Sequence, residues 1–484
     1  MLDVRTVLFL LGVLLTLVAT AMLLPLSLDY FIYETHHWQS FAVSACVSGF
    51  AGALLFVSNQ PDHGIELGVR EAFLLTAMLW GVSSLVAALP FYFSPLEINF
   101  VDALFESTSA LTTTGATILL GLDGMPKSIL LWRAMLQWFG GIGIIVMAMI
   151  IFPILRIGGM QLFRSEFSDR SEKILPRVSQ IATSIFSVYS ILTVLCLFFL
   201  YMAGMEIFDA VCTAMATLST GGLTVHDNGI QVFHNWQIEI VLMVFMILGG
   251  GTLILYVKVW QKDVKSLVQD PQYRLYLLLI LSASLILTLW YVSTNNVTLI
   301  TALRYSFFSV ISVITTTGFF ITDYTTWGSF PGMMMLILGM IGGCTGSTSG
   351  GIKIFRIHVF FSFAFSQLRQ LRRVHGVYIP TFNGQKISDS IALSVFIFIM
   401  LYIFCVLTLS LVLTLFDLDF TTAFSGALSA ISNLGVGLGK IIGPSGSFSP
   451  LGTGPKLSLM VGMILGRLEL LTILVLFLPS FWWD

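Results

Sequence analysis

Charged residues are scarce in this chain, since Asp, Glu, Lys and Arg make up only 10% of its 484 residues. Soluble domains carry about 25% of these residues, so the composition excludes a soluble globular protein. Hydrophobic residues make up 56% of the chain, which indicates an integral membrane protein. The formal net charge of −2 gives no overall attraction to nucleic acid.

Cysteines and the usual signatures of an enzyme are also sparse. The five cysteines have neither CxxC nor metal-ligand spacing, and we expect them to be small core residues; they are Cys46, Cys196, Cys212, Cys344 and Cys405. The glycine-rich stretches Gly339–Gly351 and Gly435–Lys440 lack the Gly-Lys-Ser/Thr ending of a phosphate-binding loop. No loop is long enough for an enzyme domain, and no nucleophile–base pair stands out, so we expect no enzymatic activity.

Long apolar segments dominate the chain instead. Ten are long enough to cross a membrane, which takes about 20 helical residues: 5–26, 39–58, 72–94, 131–153, 179–203, 237–257, 274–292, 332–363 (interrupted), 389–415 and 457–478. The first resembles a cleaved signal peptide in having Arg5 and small residues at 19–21. Its apolar run continues through residue 26, so we expect a retained helix, with a cleaved signal as the alternative.

One pattern occurs four times, in Asp102–Thr117, Asp209–Thr224, Tyr305–Phe320 and Thr422–Gly437. Each copy has an amphipathic helical segment, then small hydroxyl or amide residues, then a glycine at the same offset; the glycines are Gly115, Gly222, Gly318 and Gly435. Each copy is too short to cross a membrane and lies between two segments that can. Internal repeats of this kind decide the architecture.

The repeats predict an all-α integral membrane fold of ten transmembrane helices. Two N-terminal helices precede four pseudo-repeats of helix, pore loop and helix around one central pore. The predicted units are 1–65 for the N-terminal helices, then 66–160, 161–262, 263–375 and 376–484 for the repeats, the third with a broken second helix.

The repeated glycines suit a site for a dehydrated cation, because backbone carbonyl oxygens can replace its water if the chain runs extended. Glycine permits the required backbone angles, and the carbonyl end of each preceding helix favours a cation. The predicted ion-binding residues are Thr113, Thr114, Gly115, Thr220, Gly221, Gly222, Thr316, Thr317, Gly318, Asn433, Leu434 and Gly435. A simple helix stop is the alternative for any single copy.

Six glycines lie within Gly339–Gly351, in the second helix of the third repeat. Each glycine disfavours a helix by about 0.8–1.0 kcal/mol relative to alanine, so we expect a break and a gating loop at membrane depth. Small-residue helix packing is the alternative. The predicted gate comprises Gly342, Gly343, Cys344, Thr345, Gly346, Ser347, Thr348, Ser349, Gly350, Gly351 and Arg467.

Arg467 lies within the last apolar segment, where a charge is expensive, so we expect it to face the pore or a partner. A buried ion pair with another helix is the alternative, and Glu469 is not an obvious helical partner. We expect Asp102 and Asp209 to be N-caps of the repeated helices. Asp123, Asp227 and Asp323 follow three of the repeats and either attract cations to the outer mouth or are ordinary solvated acids.

Lys and Arg are concentrated in alternate loops, which predicts cytoplasmic N- and C-termini and places the four repeated segments on the outer side. The basic cytoplasmic stretch 364–388 is either an anchor for anionic lipid headgroups or a docking surface for a partner. The proposed basic surface comprises Arg164, Arg170, Lys258, Lys262, Lys265, Arg369, Arg372 and Arg373.

Several motifs together resemble one family: FESTSALTTTGAT with LQWFGGIGI, STGGLTVHD, ITTTGF, GGCTGSTSGGIK, ISNLGVGLG and LGRLE. They closely resemble the TrkH/TrkG family, the membrane subunits of bacterial Trk potassium uptake systems, within the superfamily that also holds Ktr and HKT transporters. The resemblance covers essentially the whole chain. It departs at Val436, where the family carries proline after the fourth glycine.

The resemblance implies a K⁺-selective, channel-like pore in a bacterial inner membrane, with K⁺ as the transported ion and no organic cofactor. It implies a homodimer with one pore per protomer, in contact with membrane lipid, and a cytoplasmic TrkA-like regulator with nucleotide-binding RCK domains. The four glycines correspond to the family's filter, the stretch near Gly342–Gly351 to its gating loop and Arg467 to its pore-facing arginine.

A Na⁺- or H⁺-coupled secondary transporter is the alternative function. Such folds favour inverted repeats, broken helices and carboxylates at mid-membrane. Here the repeats run in the same sense and carboxylates within the apolar segments are scarce, so the pore is the preferred interpretation.

Overall fold

The computed structural model describes residues 3–33, 37–61, 68–147, 174–295, 297–373, 376, 378–383 and 385–483. Seven helices in this part are long and apolar enough to cross a membrane. They are Val4–Tyr33, Trp38–Ser58, Val69–Tyr92, Lys127–Val146, Ala182–Met202, Pro271–Asn295 and Asp389–Thr414. The Ala182–Met202 span belongs to a helix that begins at Ile174, and residues 148–153 of the expected fourth segment lie outside the described residues.

Two further apolar segments are sharply bent rather than straight. Trp236–Gly250 meets Leu253–Trp260 at 97°, and Thr453–Arg467 meets Leu471–Phe477 at 106°. If each pair is one span, the described chain has up to nine. The expected spans at 237–257 and 457–478 are therefore bent rather than straight, and the exact layout of ten helices stays a prediction.

The two bends have different physical origins. The first lies at three consecutive glycines, 249–251, which lack side chains and weaken a helix. The second lies among good helix formers, and there Glu469 adopts a left-handed backbone angle of φ 57°. Its carboxylate pairs with the buried Arg356 of another helix, so a tertiary contact accompanies this bend.

The interruption expected within 332–363 is present. Ser329–Ile341 ends at Gly342, and the next helix, Ile354–Arg372, begins only after Lys353. The glycines at 342, 346 and 351 all have positive φ, which a continuous helix excludes.

The four repeated segments begin as short helices, which we number 1 to 4: Phe100–Leu111, Ile207–Leu218, Leu299–Ile314 and Phe420–Ser432. Asn99, Thr298 and Asp419 cap helices 1, 3 and 4 by accepting a backbone N–H. The prediction that Asp102 and Asp209 are N-caps is wrong, because both lie within the first turn of their helices, as the third residue. Their carboxylates bind Lys456 Nζ at 2.6 Å and His226 Nε2 at 3.0 Å instead.

The first two helices pack closely as an antiparallel pair. A Cβ on Gly12 would lie 2.6 Å from the backbone N of Phe56, and one on Gly52 would lie 2.8 Å from the backbone N of Thr16. Such approaches are possible only for glycine, and packing through small residues is typical of helices in membranes.

The remaining elements are short. They are the α-helical turns Leu89–Tyr92, Val264–Gln269, Leu471–Leu474 and Pro479–Trp483, the π-turn Asp29–Tyr33, the 3₁₀ turns Leu122–Gly124, Gly229–Phe233, Tyr324–Trp327 and Val475–Phe477, and the antiparallel strands Thr381–Phe382 and Gln385–Lys386.

Candidate ion pathway

Each short helix ends in a loop with the same backbone geometry. Two residues with positive φ lie two positions apart: Thr113 (52°) and Gly115 (83°), Thr220 (50°) and Gly222 (72°), Thr316 (55°) and Gly318 (82°), Asn433 (52°) and Gly435 (80°). Positive φ is uncommon outside glycine, so its recurrence at one position marks a repeated structure. We call Thr113–Gly115, Thr220–Gly222, Thr316–Gly318 and Asn433–Gly435 glycine loops 1 to 4.

The middle residue of each loop closes the helix that precedes it. Its backbone N–H donates to a helix carbonyl five residues earlier at 2.9 Å, in the pairs Thr114–Ser109, Gly221–Ala216, Thr317–Ser312 and Leu434–Ser429. This bond is typical of a helix ending in a left-handed residue. It directs the carbonyl end of all four helix dipoles at the loops, where partial negative charge favours a cation.

The four loops form a closed ring. A Cβ on each loop glycine would overlap the carbonyl oxygen of the middle residue of the next loop: Gly115 with Gly221, Gly222 with Thr317, Gly318 with Leu434, and Gly435 with Thr114. The last pair returns to the first loop, so the loops surround one centre in chain order. Only glycine fits where these backbones meet, which explains the residue at each of the four positions.

Side-chain hydrogen bonds brace the glycine loops and link loop 4 to loop 1. The Thr112 and Thr114 hydroxyls lie 2.8 Å apart, as do those of Thr315 and Thr317. Asn433 Nδ2 donates to Thr114 Oγ1 at 3.0 Å, which ties loop 4 to loop 1. The buried Gln137 accepts from the N–H of Leu223, which follows loop 2, at 3.3 Å. Gln137 belongs to the motif LQWFGGIGI, but the sequence did not predict its role, because its partner lies on a loop 86 positions away.

The ring is built from backbone and hydroxyl oxygens rather than carboxylates. Among the described residues, no group of three His, Cys, Asp or Glu side chains is placed to hold a metal ion. Neutral oxygens in a ring suit a weakly held monovalent cation that must also leave.

The segment Gly342–Gly351, which we call the small-residue segment, packs directly against the ring. Gly350 N donates to Thr316 Oγ1 of loop 3 at 2.8 Å, and Thr220 Oγ1 of loop 2 donates to Thr348 Oγ1 at 3.1 Å. Thr220 and Thr316 are the first residues of their loops, nearest the short helices. The segment therefore lies at the end of the ring nearest the short helices, opposite the chain that follows the glycines.

The other face of the small-residue segment binds the first bend. Cys344 N donates to the carbonyl of Gly250 at 2.9 Å, and Thr345 N donates to Gln272 Oε1 at 2.8 Å. Thr252 Oγ1 donates to the carbonyl of Thr345 at 3.0 Å. The segment is thus buried and held on both sides, although it is not helical.

Arg467 reaches the small-residue segment from the second bend. Its guanidinium is buried and donates to the carbonyl of Thr348 at 2.8 Å. Its Nε and second Nη find no hydrogen-bond partner within the described residues. The alternative of an ion pair is not seen there for Arg467; it is Glu469 that pairs, with Arg356, whose guanidinium lies 3.8 Å from the centre of the Phe398 ring.

The acids expected at the outer mouth each make a hydrogen bond within the protein. Asp227 accepts from Gly121 N at 2.9 Å, and Asp323 accepts from Thr325 N at 2.9 Å. Asp123 binds His226 Nδ1, while His226 Nε2 binds Asp209. Burial alone would lower the pKa of His226. The hydrogen bonds to the two carboxylates outweigh burial, so the net effect is a raised pKa. The hydrogen bond to His226 lowers the pKa of Asp123.

The predicted basic surface is described only in part. Arg369 and Arg372 are exposed on the last turn of Ile354–Arg372, and Arg373 is exposed just beyond it. Lys262 and Lys265 are exposed and Lys258 is half-buried near Leu253–Trp260. Arg164 and Arg170 lie outside the described residues.

Comparison with known proteins identifies the family. The family model TrkH, described as a cation transport protein, matches residues 36–482. The chain is 40% identical over 420 residues to the Trk system potassium uptake protein TrkI of Halomonas elongata, covering 86% of this chain and 85% of that protein. It is 36% identical over 484 residues to the Trk system potassium uptake protein TrkH of Escherichia coli K12, with 99% of each covered.

A solved structure agrees with this assignment. The crystal structure of the potassium transporter TrkH from Vibrio parahaemolyticus matches with a TM-score of 0.91 at 31% identity, covering 99% of this chain and 100% of that one. These matches confirm the resemblance carried by the sequence motifs. The chain is therefore a multi-pass membrane protein that belongs to the TrkH family of cation transport proteins.

Proposed function

We propose that this chain is a potassium-selective uptake pore whose ion site is the ring of four glycine loops. The observation that carries the proposal is the closure of the ring, in which each glycine meets the carbonyl of the next loop. Curated relatives are named potassium uptake proteins, which supports K⁺ as the transported ion.

Potassium is the substrate, and the backbone of the loops is its ligand set. Carbonyl oxygens from Thr113 to Gly115 and from the equivalent residues of loops 2 to 4 replace the water shell of the ion. The buried threonine hydroxyls and Asn433 hold these carbonyls in place. Because the four helix dipoles point inward, a cation is favoured and an anion is repelled.

The small-residue segment and Arg467 form the gate in this proposal. The segment contacts the end of the ring nearest the short helices, and in this proposal it blocks the path of an ion there. Arg467 donates to the segment and keeps unpartnered guanidinium nitrogens within the described residues, so its charge repels K⁺ while the gate is closed. Opening then requires the segment to move and a partner to supply differential binding energy.

The partner in this proposal is a cytoplasmic TrkA-like subunit with RCK domains, bound at the basic surface near Arg369, Arg372 and Arg373. In this proposal the protein works as a homodimer in a bacterial inner membrane. Both termini lie in the cytoplasm, because the distribution of Lys and Arg indicates that orientation. The repeat boundaries 66–160, 161–262, 263–375 and 376–484 belong to the same proposal. A coupled secondary transporter is less favoured, because the ring contains no carboxylate to bind a coupling proton.

The decisive experiment is cation competition in proteoliposomes that contain the purified protein. Unlabelled K⁺ should suppress uptake of labelled Rb⁺ at much lower concentration than Na⁺ does. Gly115→Ser should reduce this preference for K⁺ about tenfold, equivalent to about 1.4 kcal/mol, because its side chain meets the carbonyl of Gly221. Gly81→Ser is the matched control, because a Cβ there meets nothing within 4 Å. An unchanged preference in Gly115→Ser at altered flux would remove the ring as the selective site.

A further inference from the structure

A buried ion pair contacts the residues that follow glycine loop 1. Glu106, on short helix 1, accepts from Nε of Arg133 at 2.7 Å, and the two side chains are 0% and 2% exposed. Burying such a pair brings little net stability, because both charges lose their water. The contacts of Glu106 and Arg133 therefore matter for what they position as well as for stability.

The Glu106 carboxylate holds the residues that follow loop 1. It accepts from the backbone N of Ile118 and from Thr117 Oγ1, both at 3.0 Å. These residues lie two and three positions after Gly115. The direction in which the chain leaves the ring is thus set by this carboxylate.

The Arg133 guanidinium extends the same contacts to a second loop. One Nη donates to the carbonyl of Thr224 at 3.0 Å, and Thr224 lies two positions after Gly222. The other Nη donates to Thr117 Oγ1 at 3.1 Å. The ion pair therefore fixes the exit of loop 1 relative to the exit of loop 2.

Thr117 also connects this network to the fourth repeat. Its carbonyl accepts from the backbone N of Phe448 at 2.9 Å and from Ser447 Oγ at 3.2 Å. Both residues belong to the chain that follows loop 4. Thr117 thus bonds to Arg133, which also binds the exit of loop 2, and to a segment 12 to 13 positions after loop 4.

The network has no copy in the other repeats. At the position equivalent to Glu106, repeats 2, 3 and 4 carry Thr213, Ser309 and Gly426. None of these side chains can form an ion pair. The ring is therefore supported asymmetrically, and one pair positions the side of the ring between loops 1 and 2.

We propose that Glu106 and Arg133 are positioning residues that determine which monovalent cation the ring prefers. Neither is assigned a contact with the ion. They set the distance between the backbone of loops 1 and 2, and a carbonyl ring discriminates between ions through the spacing and number of its oxygens. This inference rests on the proposed function of the ring as the ion site.

The test is the same cation competition on two variants. Glu106→Gln removes the charge that holds Arg133, and Thr117→Val removes the shared hydroxyl at equal size while leaving the ion pair intact. The expected result is a K⁺ preference over Na⁺ that falls about tenfold in Glu106→Gln, equivalent to about 1.4 kcal/mol, and falls by a smaller factor in Thr117→Val. Thr117→Val decides the question if the first variant does not fold.

A second ion pair provides the matched control. Glu239 and Arg304 join short helix 3 to Trp236–Gly250 through bonds of 2.5 and 2.6 Å. Within the described residues, neither side chain bonds to a glycine loop or to the residues that follow one. Glu239→Gln should therefore lower the melting temperature without changing cation preference, and an equal loss of preference there would overturn the assignment to Glu106.

The outcomes separate this inference from the function on which it rests. A changed preference in Gly115→Ser with normal preference in Glu106→Gln and Thr117→Val would overturn the positioning role alone. An unchanged preference in Gly115→Ser would instead overturn the ring as the ion site. A loss of preference in Gly115→Ser, Glu106→Gln and Thr117→Val, but not in Glu239→Gln, supports both.

Discussion

Two kinds of residue build the ring, the loop glycines and the first residue of each loop, and they are present for different physical reasons. The loop glycines are required for steric reasons, because any Cβ at these positions would overlap a neighbouring carbonyl oxygen. Thr113, Thr220, Thr316 and Asn433 are not required by their backbone angles, since positive φ is unfavourable for threonine. Buried side-chain bonds compensate at three of these positions, joining Thr220 to Thr348, Thr316 to Gly350 and Asn433 to Thr114. The Thr113 hydroxyl has no such bond within the described residues. Strain of this kind is concentrated at functional sites.

The bridge made by His226 predicts a pH-dependent stability. Its folded pKa is raised above the ordinary value of 6.5. Its contribution is therefore fully present below about pH 6.5 and is lost as pH rises through the folded pKa. His226→Asn should lower the melting temperature at pH 5.5 by about 2 °C, a small effect because solvent screens this partly exposed site. The difference should fade towards pH 9.

Melting curves of purified His226→Asn and unaltered protein from pH 5.5 to 9 measure this effect. Asp227→Asn serves as the control, because Asp227 accepts from the backbone of Gly121 and does not bond to the imidazole. A difference that stays constant with pH would assign the effect to packing against Phe233 rather than to charge.

Arg467 predicts a change in basal flux. Replacing it with alanine removes the buried charge and the bond to the carbonyl of Thr348, so K⁺ flux without any regulator should rise. An increase of about tenfold corresponds to about 1.4 kcal/mol of lost stabilisation of the closed state. Arg467→Lys keeps the charge and should stay near the unaltered basal flux. Flux in proteoliposomes decides this, and an Arg467→Ala flux no higher than that of Arg467→Lys would place the barrier elsewhere.

At the scale of elements, the small-residue segment and its neighbours all lie at interruptions of helices. The break after Ile341 releases the small-residue segment, and the bends at 250–253 and 467–471 supply its neighbours. Non-helical backbone at membrane depth survives only where its polar groups are bonded or lie along a cavity. Here Gly250, Gln272 and Thr316 provide those bonds. The three interruptions therefore stabilise each other.

Shortening the small-residue segment should open the pathway. Deletion of Thr345–Ser349 removes the residues that bind Thr220, Gln272 and Arg467, and the basal K⁺ flux should rise by a factor similar to that of Arg467→Ala. Ser347→Ala is the control, because its hydroxyl bonds only within the segment among the described residues. Flux equal to the unaltered protein, in a deletion variant with normal melting behaviour, would contradict this gate.

At the scale of the whole molecule, one helix joins the proposed docking surface to the proposed gate. Helix Ile354–Arg372 begins three positions after the last residue of the small-residue segment, and the exposed Arg369 and Arg372 lie on its last turn. A partner bound at these arginines thus acts on an element that is continuous with the proposed gate. Arg356, on the first turn of the same helix, pairs with Glu469 beside the second bend.

Charge reversal of Arg369, Arg372 and Arg373 should weaken binding of a TrkA-like partner by about tenfold, equivalent to about 1.4 kcal/mol. The loss should be greatest at low salt, because rim charges act mainly through screened attraction. Copurification of the coexpressed proteins at two salt concentrations measures it. Lys440→Glu is the control, because this exposed residue lies in the chain that follows glycine loop 4. Copurification that is insensitive to both the reversal and raised salt would leave only lipid anchoring for these arginines.

The sequence by itself determined the membrane class, the repeated loops and the broken third repeat, because apolar length, glycine spacing and glycine density are local signals. Matched offsets located all four loop glycines before any contact was known. The bend at 467–471 was decided only in the tertiary structure, because its residues favour helix and Glu469 pairs with a residue 113 positions away. The same holds for Glu106 and Arg133, which lie 27 positions apart. Their roles arise from burial and from partners on other helices, and no local pattern records either.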